Sequence, residues 1–205
     1  MNAKIIGTGC QLPAYAADNH YLSTLVETSD EWITERTGIR MRHLAQKETT
    51  TSLSVDAAGK ALASAGMQAS DIDLLIVATI TADTETPSTA CRVQAEIGAV
   101  NAVAFDINAA CSGFLYALHI ADAFIKSGVY KNALLIGAET LSKLVDWTDR
   151  GTCVLFGDGA GAAVLTASKQ GGVLSQSVGS NGNKWEVLSC AARPVRNPVC
   201  QSEEV

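Results

Sequence analysis

The sequence is poor in charge and has no long apolar run. Charged residues make up only 18% of its 205 residues and hydrophobic residues 47%, a composition that argues against an intrinsically disordered chain. The densest apolar run, Leu74 to Ala78, is far too short to cross a bilayer. The first residues lack the apolar stretch and the cleavage site of a signal peptide. We therefore expect a soluble cytoplasmic protein with no membrane partner and a buried core.

Positive charge is also in short supply. The chain has 15 Lys and Arg residues against 21 Asp and Glu residues, which gives a net charge of −6. A general nucleic-acid binder needs a basic surface. The charge balance therefore argues against nucleic acid as a partner.

Closely spaced cysteines are absent. No two of the 6 cysteines stand two or three residues apart, so the spacing of a zinc knuckle or a Cys-x-x-Cys redox motif is missing. We expect no metal site, and reduced thiols, because the chain is neither small nor dense in cysteine. One cysteine is a candidate nucleophile, and the others are interpreted as small buried hydrophobes. The cysteines occupy positions 10, 91, 111, 153, 190 and 200.

Strand-like and helix-like segments alternate along the chain, which predicts an α/β fold with a mostly parallel sheet and helices on both faces. The apolar runs 72–80, 100–108 and 132–138 are typical of strands buried on both faces. The segment 112–127 is apolar almost all round, so we expect a helix covered on every side. The remaining predicted elements are a strand over 3–9, helices over 29–36, 52–65 and 87–98, and strands over 152–156 and 161–167 joined by a glycine turn. Ser29 or Asp30 can cap the first of these helices, and Pro87 and Ser88 open the third. Gly38 and Gly66 end the first two, and the third runs to about Gly98.

The composition changes near residue 169. Residues 1–168 carry the alternating pattern and form the first predicted domain. Residues 169–205 are rich in Gly, Ser, Asn and Pro and contain one short strand candidate, 172–178. We expect this second part to be the incomplete start of a further unit that does not fold alone.

The segment Asp106 to Phe114 holds the candidate nucleophile, Cys111. A predicted strand enters it and a predicted helix leaves it, so Cys111 stands at or just before a helix N-terminus. Unsatisfied N–H groups and the helix dipole favour a thiolate there, and the same groups could hold an oxyanion. On spacing alone, Cys111 could equally be a packed small residue.

This segment resembles the nucleophile region of the β-ketoacyl-acyl-carrier-protein synthase III family of thiolase-like condensing enzymes. Five further motifs agree with that family in order along the chain, and the resemblance spans residues 3 to about 190. The motifs are Thr28-Ser29-Asp30-Glu31-Trp32-Ile33 with Arg36-Thr37-Gly38-Ile39, Pro87-Ser88-Thr89-Ala90-Cys91, Gly137-Ala138-Glu139-Thr140-Leu141-Ser142, Asp146-Trp147-Thr148-Asp149-Arg150-Gly151-Thr152 and Phe156-Gly157-Asp158-Gly159-Ala160-Gly161-Ala162.

The resemblance implies the N-terminal half of a thiolase-like, layered αβαβα architecture and a homodimer. It implies no tightly bound cofactor, with coenzyme A entering as the thioester substrate. An acyl group passes from acyl-coenzyme A to Cys111. Decarboxylative condensation with malonyl-acyl-carrier protein then gives 3-ketoacyl-acyl-carrier protein and initiates fatty-acid synthesis.

The resemblance also implies binding roles. The matching Trp32 and Arg150 sandwich the adenine of coenzyme A, and Thr28 lies near the same cofactor; stacking of flat groups on a base is physically sensible. Trp32 and Arg36 are four residues apart and so share a helix face. Taken singly, these residues would be a core aromatic and solvated arginines. The implied cofactor-binding set is Thr28, Trp32, Arg36, Thr37, Arg150 and Gly151.

The primer pocket is the next implied feature. Phe156 resembles a residue that lines the acyl pocket, and Leu141 is expected alongside it. Many family members place a Phe where this chain has Thr86, and that Phe closes the pocket. The smaller Thr86 predicts room for primers that are longer than acetyl or branched, unless neighbouring residues fill the gap.

Two other patterns are discounted. Gly157-x-Gly159-x-x-Ala162 mimics a dinucleotide fingerprint, but a strand pattern follows it instead of a helix, so we interpret it as a tight turn. Glu139, Asp146 and Asp149 could suggest a metal, but no His lies near them in sequence and loop carboxylates are usually solvated.

The chain departs from the family in its second half. The family uses a His and an Asn there for condensation, and neither of their motifs occurs. The only histidines are His20, His43 and His119, and His119 is two helical turns from Cys111. The acidic carrier protein also needs a basic docking patch. Its candidates here are Arg36, Arg40, Arg42, Arg150, Arg193 and Arg196, although in the family much of the patch lies in the second half.

Three interpretations stay open. The chain could be a truncated condensing enzyme that is inactive in condensation by itself. It could be complete and bind coenzyme A thioesters or a partner protein without condensing them. It could also belong to a thiolase-fold synthase of secondary metabolism that uses another acceptor.

Overall fold

The structure, a computed structural model, describes residues 1–192 of the chain. Arg193, Arg196 and Cys200 lie outside these residues. The strands are β1 (Asn2–Gln11), β2 (Ala16–Asp18), β3 (Met41–His43), β4 (Leu74–Ala78), β5 (Val103–Ile107), β6 (Asn132–Thr140) and β7 (Asp158–Ser168). The helices are α1 (Asn19–Ser23), α2 (Asp30–Thr37), α3 (Thr50–Ala65), α4 (Thr89–Ile97), α5 (Gly113–Ser127) and α6 (Arg150–Cys153). Short 3₁₀ turns cover Ala69–Asp71, Ala110–Ser112, Leu141–Lys143 and Gly182–Val187.

The main sheet has 5 strands in the order β1-β7-β6-β4-β5. β4 pairs in parallel with β5 and with β6, whereas β7 pairs antiparallel with both β1 and β6. All strands except β7 therefore run in one direction. The α/β class is confirmed, but the sheet is mixed, because the reversed β7 lies between two strands that would otherwise be parallel neighbours.

Two hydrophobic clusters lie on opposite faces of this sheet. Along β4, Leu75 and Val77 join the cluster under α3 and α4, while Leu74 and Ile76 join the cluster under α5. β4 is buried along its whole length, as the continuous apolar run predicts. Each fully buried Leu or Ile side chain stabilises the fold by about 1.5–3 kcal/mol.

Polar caps begin the helices, and glycines end them, at the positions that the sequence predicts. Ser29 accepts a hydrogen bond from the backbone at the start of α2, and Ser88 does so at the start of α4. Gly38, Gly66 and Gly98 follow α2, α3 and α4 with φ angles of 73°, 65° and 75°. This left-handed conformation suits glycine, so each of these helices ends at a residue that the sequence identifies.

Glycines also let α3 lie directly on β1. A Cβ atom at Gly9 would stand 2.4 Å from the carbonyl oxygen of Ala57 and 2.5 Å from the backbone nitrogen of Ala61. No side chain fits at that separation. The helix backbone and the strand backbone are therefore in contact, which fixes α3 on the sheet.

A small second sheet of β2 and β3 lies beside the main sheet. Its buried Arg42, only 5% exposed, donates to the side chain of Asn19 at 2.6 Å and to the carbonyl of Ala17 at 3.2 Å. Arg42 therefore cannot belong to a basic docking surface. A third hydrophobic cluster adjoins this sheet and contains Leu22, Ile33, Cys153 and Val154, with Trp32 packed against it.

Three predictions about burial are wrong. Of the cysteines interpreted as small buried hydrophobes, Cys10, Cys91 and Cys190 are exposed. β5 is not a strand buried on both faces: it forms the edge of the sheet, and its Val103 is 49% exposed. α5 is not covered on every side, because its buried residues follow one face and Leu115 on another face is 58% exposed. Apolar composition could not distinguish an edge strand and a half-covered helix from fully buried ones.

Two predicted strands are also absent. Residues 152–156 do not form a strand, because the carboxylate and carbonyl of Asp149 begin the helix α6 at this point. Asp158 and Gly159 belong to β7, so the glycine pattern is no turn between two strands. Residues 172–178 are not a strand either.

The segment after β7 is held by individual backbone and side-chain hydrogen bonds instead of sheet pairing. Val173 donates to the carbonyl of Ala3 at 2.8 Å, and Gln176 donates to the buried carboxylate of Asp122 at 2.9 Å. Asp122, to which the sequence assigns no partner, also accepts from Ala3 and Lys126. The division of the chain near residue 169 stays a prediction.

No helix within residues 1–192 is long and apolar enough to span a membrane.

Candidate active site

Three of the predicted site residues, Thr86, Cys111 and Leu141, follow strands that finish at the same end of the main sheet. β4, β5 and β6 are parallel, so their carboxyl ends lie at the same end of the sheet. The segment with Thr86 follows β4, Cys111 follows β5, and Leu141 follows β6. In open α/β sheets, ligands bind beside the carboxyl ends of the strands. The topology therefore brings the nucleophile candidate and the pocket candidates to the same end of the sheet.

Cys111 lies in the 3₁₀ turn Ala110–Ser112, immediately before α5. This is the position that the sequence predicts. The residue is exposed, and Ser112 offers no side-chain cap to α5. The N–H of Gly113 already donates to the carbonyl of Ala110, and that of Ser112 donates to the carbonyl of Ala109. The N–H of Cys111 itself is therefore the candidate donor to an oxyanion at this turn.

The turn that carries the thiol has unusual backbone geometry. Ala110 has a φ of 44°, the one positive φ of a residue other than glycine within residues 1–192. Such a conformation is strained and tends to occur at functional sites. A Cβ at Gly113 would lie 2.9 Å from the Cβ of Ala78. The start of α5 is thus pressed onto the end of β4, which fixes the backbone beside Cys111.

The indole ring of Trp32 is contacted by two arginine side chains. The guanidinium carbon of Arg36 lies 4.3 Å from the centroid of the indole ring, and that of Arg150 lies 4.8 Å from it. Both distances are typical of cation–π contacts. We call Trp32, Arg36 and Arg150 the arginine–tryptophan platform.

The two arginines reach the ring from different elements. Arg36 stands one turn after Trp32 on α2 and donates to the carbonyl of Trp32 at 3.4 Å. Arg150 stands on α6 and donates to the carbonyl of Glu27 at 3.1 Å. A base between Arg150 and the indole needs a separation of about 7 Å, twice the contact distance of stacked carbon atoms. Arg150 would therefore have to move outward to admit a base.

The smaller binding candidates lie beside the platform and are largely occupied by internal contacts. The hydroxyl of Thr37 donates to Ile33 at 2.7 Å and accepts from the backbone of Ile39 at 3.0 Å. The N–H of Gly151 donates to Asp149 at 2.8 Å. The hydroxyl of Thr28 is different: it is buried and has no hydrogen-bond partner in the described part of the chain. Thr28 is therefore the member of this group with an unused polar atom.

The pocket candidates share an edge without forming a closed cavity in the described chain. Thr140 pairs with Asp158, so Leu141 just after β6 and Phe156 just before β7 lie at the same edge. Thr86 lies on the exposed loop before α4. The two described grooves, of about 840 and 270 Å³, are lined by other residues. The pocket assignment stays a prediction.

Glu139 joins the segment after β4 to the end of β6. Its carboxylate accepts from the backbone of Ile80 at 2.9 Å and from the hydroxyls of Thr79 and Thr81. It is half-buried at the end of a central strand, so the interpretation of Glu139 as a solvated loop carboxylate is wrong. Its contacts hold the start of the loop that carries Thr86.

The sequence interpretation, which treats Asp149 as a solvated loop carboxylate, misses its role as a helix cap. Asp149 caps α6, which carries Arg150. The signal was an Asp immediately before Arg150 and three residues before Thr152, since Asp is a favoured N-cap. Within residues 1–192 no group of three or more His, Cys, Asp or Glu side chains could hold a metal ion.

The histidines do not complete a catalytic pair with the thiol. The ring of His43 is hydrogen-bonded to the carbonyl of Pro13 at 2.7 Å, and His20 and His119 are exposed. None of them is hydrogen-bonded to Cys111. The described chain therefore offers a thiol and a cationic platform, without a neighbouring imidazole base.

Known proteins are similar to this chain in sequence. A protein-family model described as 3-oxoacyl-acyl-carrier-protein (ACP) synthase III matches residues 105–182. The chain is 53% identical over 205 residues to a β-ketoacyl-acyl-carrier-protein synthase III of Clostridium perfringens (strain SM101 / Type A), and the match covers 100% of this chain and 63% of the relative.

Solved structures agree with these sequence comparisons. The 3-oxoacyl-acyl-carrier-protein synthase III of Pseudomonas aeruginosa PAO1 superposes with a TM-score of 0.88 at 40% identity, over 97% of this chain and 62% of that one. The β-ketoacyl-acyl-carrier-protein synthase III of Thermus thermophilus gives a TM-score of 0.89 at 38% identity, over 98% of this chain and 63% of that one.

The fold is therefore thiolase-like, of the kind found in condensing enzymes. The chain belongs to the β-ketoacyl-acyl-carrier-protein synthase III family. It spans about 60% of the length of the curated relatives that it matches, consistent with the N-terminal part of the family.

Proposed function

We propose that this chain forms the acyl-accepting part of a condensing acyltransferase that initiates fatty-acid synthesis. The observation that carries the proposal is the position of Cys111 on an exposed turn before α5. The thiol lies at the carboxyl ends of the parallel strands of a thiolase-like sheet, together with the segments after β4 and β6. Acyl-coenzyme A is the proposed donor, and coenzyme A is a substrate here instead of a tightly bound cofactor.

The first step is a thioester exchange. The sulfur of Cys111, as thiolate, forms a bond to the acyl carbon of acyl-coenzyme A. The carbonyl oxygen gains negative charge, which the N–H of Cys111 can stabilise. The bond to the sulfur of coenzyme A then breaks, and the released thiolate takes up a proton. The product is an acyl group on Cys111 and free coenzyme A.

The second step needs more than the described residues supply. Malonyl-acyl-carrier protein loses carbon dioxide, and the resulting carbanion forms a bond to the acyl carbon on Cys111. The bond between that carbon and the sulfur of Cys111 breaks, which releases 3-ketoacyl-acyl-carrier protein and regenerates the thiolate. The resemblance assigns this step a His and an Asn, and the three histidines of this chain do not meet the thiol. We therefore assign condensation to the full-length enzyme.

The arginine–tryptophan platform is the proposed site for the adenine nucleotide. Trp32 offers an aromatic face, and Arg36 and Arg150 add planar cations that stack on a base and attract phosphate. Thr28, Thr37 and Gly151 complete the proposed set. The unused hydroxyl of buried Thr28 supports a polar contact with the ligand.

A homodimer and a roomy primer pocket are also part of the proposal. β5 is an edge strand with unpaired backbone groups on one side, and such an edge can pair with a second copy. Thr86, Leu141 and Phe156 are the proposed pocket residues, and the small Thr86 favours primers longer than acetyl or branched.

Acylation of the thiol tests the proposal. The protein is incubated with acetyl-coenzyme A and, separately, with a longer branched acyl-coenzyme A, and its intact mass is measured over time. The expected result is a gain of one acyl group that is abolished in Cys111→Ser, with the longer donor reacting at least as fast.

The matched control is Cys91→Ser, which removes another exposed thiol and is expected to leave acylation unchanged. A protein that binds coenzyme A but never gains an acyl group would overturn the proposal in favour of a binding function. A clear preference for acetyl would overturn the pocket assignment alone.

A further inference from the structure

Arg150 is positioned by a helix that is too short to be stable alone. α6 contains only 4 residues, Arg150–Cys153. Isolated helices of this length do not form in water, because nucleation costs more than a single turn returns. The position of Arg150 over Trp32 must therefore depend on contacts that hold α6 at its ends.

Asp149 supplies the contacts at the first end. Its Oδ1 accepts from the N–H of Gly151 at 2.8 Å, and its Oδ2 accepts from the hydroxyl of Thr152 at 2.8 Å. Its backbone carbonyl accepts from the N–H of Thr152 at 3.2 Å and from the N–H of Cys153 at 3.0 Å. One residue thus accepts hydrogen bonds from four donors that follow Arg150 and fixes the turn on which Arg150 stands.

Cys153 supplies the contact at the other end. It is fully buried with Leu22 and Ile33 in the cluster against which Trp32 also packs. The buried end anchors α6 to the hydrophobic cluster against which Trp32 packs. The capped end is exposed to solvent, and its conformation determines where the side chain of Arg150 lies relative to Trp32.

The carboxylate of Asp149 acts through the backbone and not through an ion pair with Arg150. The ion pairs found within the described residues join other side chains, and none connects Asp149 to Arg150. Arg150 instead donates to the carbonyl of Glu27. A change of charge at Asp149 therefore matters less than the loss of its hydrogen bonds.

Arg36 provides an internal comparison. It lies 4.3 Å from the same indole ring, but it shares α2 with Trp32 and does not depend on α6. A device that positions only Arg150 must leave Arg36 in place.

We propose that Asp149 is a positioning residue: by capping α6 it keeps Arg150 beside Trp32, about 2 Å short of the separation that a base between them needs, so that a small outward shift of Arg150 admits a nucleotide. The choice of a nucleotide as ligand rests on the proposed function. The placement of Arg150 by Asp149 does not.

The first measurement needs no ligand. The side-chain N–H signals of Arg36 and Arg150 are assigned by NMR from the spectra of Arg36→Lys and Arg150→Lys. The ring current of Trp32 shifts both signals, so the shift of each signal reports whether its guanidinium is still close to the ring. In Asp149→Ala the Arg150 signal is expected to move toward the value of a free arginine, while the Arg36 signal stays. In Asp149→Asn the amide oxygen can still accept from Gly151, so most of the Arg150 shift should return.

The second measurement uses coenzyme A and pantetheine as probes. Loss of the cap is expected to weaken coenzyme A binding about five- to tenfold and to leave pantetheine binding unchanged, because pantetheine has no adenine. Asp146→Ala is the matched control: it removes one acidic side chain from the same loop, where the carboxylate of Asp146 bonds only to Thr148 among the described residues. It should change neither readout.

The outcomes separate the two proposals. An unchanged Arg150 signal in Asp149→Ala, or equal shifts of Arg36 and Arg150, would overturn the positioning role. A changed Arg150 signal in a protein that never binds coenzyme A would support the positioning role and overturn the nucleotide assignment. Equal weakening by Asp146→Ala would show an effect of charge and also overturn the positioning role.

Discussion

The arginine–tryptophan platform and the Cys111 turn are built in different ways. Trp32 packs against a hydrophobic cluster, and each arginine over it has its own anchor. Cys111 has no side-chain partner of this kind; its turn is fixed by the strained Ala110 and by the close packing of Gly113 on Ala78. Recognition thus depends on side chains that contact one another, whereas the thiol depends on backbone placement. We therefore expect a substitution in one region to leave the function of the other region unchanged.

The largest expected effect comes from adding one carbon beside the thiol. Gly113→Ala places a Cβ 2.9 Å from the Cβ of Ala78, so the start of α5 must shift and carry Cys111 with it. Misplacement of a reacting group costs up to about a hundredfold in rate. We expect acylation to slow about ten- to a hundredfold while the Kd for coenzyme A stays within about twofold.

Gly59→Ala is the control for this variant, because it adds the same carbon to a helix where no atom lies within 4 Å. It should be neutral or slightly stabilising. A fall in coenzyme A affinity as large as the fall in acylation rate would contradict the separation of the two regions.

The converse variant removes the platform. Trp32→Ala should weaken coenzyme A binding about tenfold or more, since a base stacked on an aromatic ring contributes about 1–3 kcal/mol. Acylation by an acyl-pantetheine, which has no adenine, should proceed at the normal rate. Calorimetry and intact-mass kinetics measure the two quantities. Trp185→Ala, at an exposed tryptophan, is the control, and equal losses with both donors would contradict the comparison.

The smallest expected effect concerns the segment just before α3, which contains Glu48. Glu48 accepts backbone hydrogen bonds from Ala14, Gln46 and Lys47, which lower the pKa of its carboxyl from 4.5 to about 2. Because the folded pKa is depressed, the unfolded state binds more protons, and the ionised carboxylate stabilises the fold above about pH 4.5. This stabilisation is lost as the pH falls toward 2.

Thermal unfolding across this pH range checks the sign. Glu48→Gln should lower Tm at neutral pH, and its deficit relative to the parent should shrink between pH 4.5 and pH 2. Glu96→Gln, at an exposed carboxylate, should show no such trend. A deficit that grows on acidification would refute the role of Glu48.

Local features of the fold were predictable because they depend on neighbouring residues. The caps Ser29 and Ser88 and the terminal glycines of α2, α3 and α4 stand where the sequence places them. The contact of Arg36 with Trp32 follows from their spacing on one helix. The edge position of β5 did not follow, because burial is set by which strands become neighbours.

The candidate site shows the same division. The position of Cys111 before a helix could be inferred from the strand–turn–helix pattern. The meeting of Arg150 with Trp32 came from resemblance alone, since no local rule joins residues so far apart. The helix α6 was missed because Thr152 to Phe156 is typical of a strand in composition, while the cap from Asp149 decides the local structure.

The pairing of β1 with β7 also bears on how the chain acquires its structure during synthesis. Asn2 pairs with Ser168, so β1 has no neighbour in the main sheet until β7 has been translated. Contacts between residues so distant in sequence are slow to form, because closing the long intervening loop is entropically costly. Until then, β1 can contact α3 and, through the bond from Ala3 to Asp122, α5, but the growing chain exposes an unpaired sheet edge to chaperones and to other nascent chains.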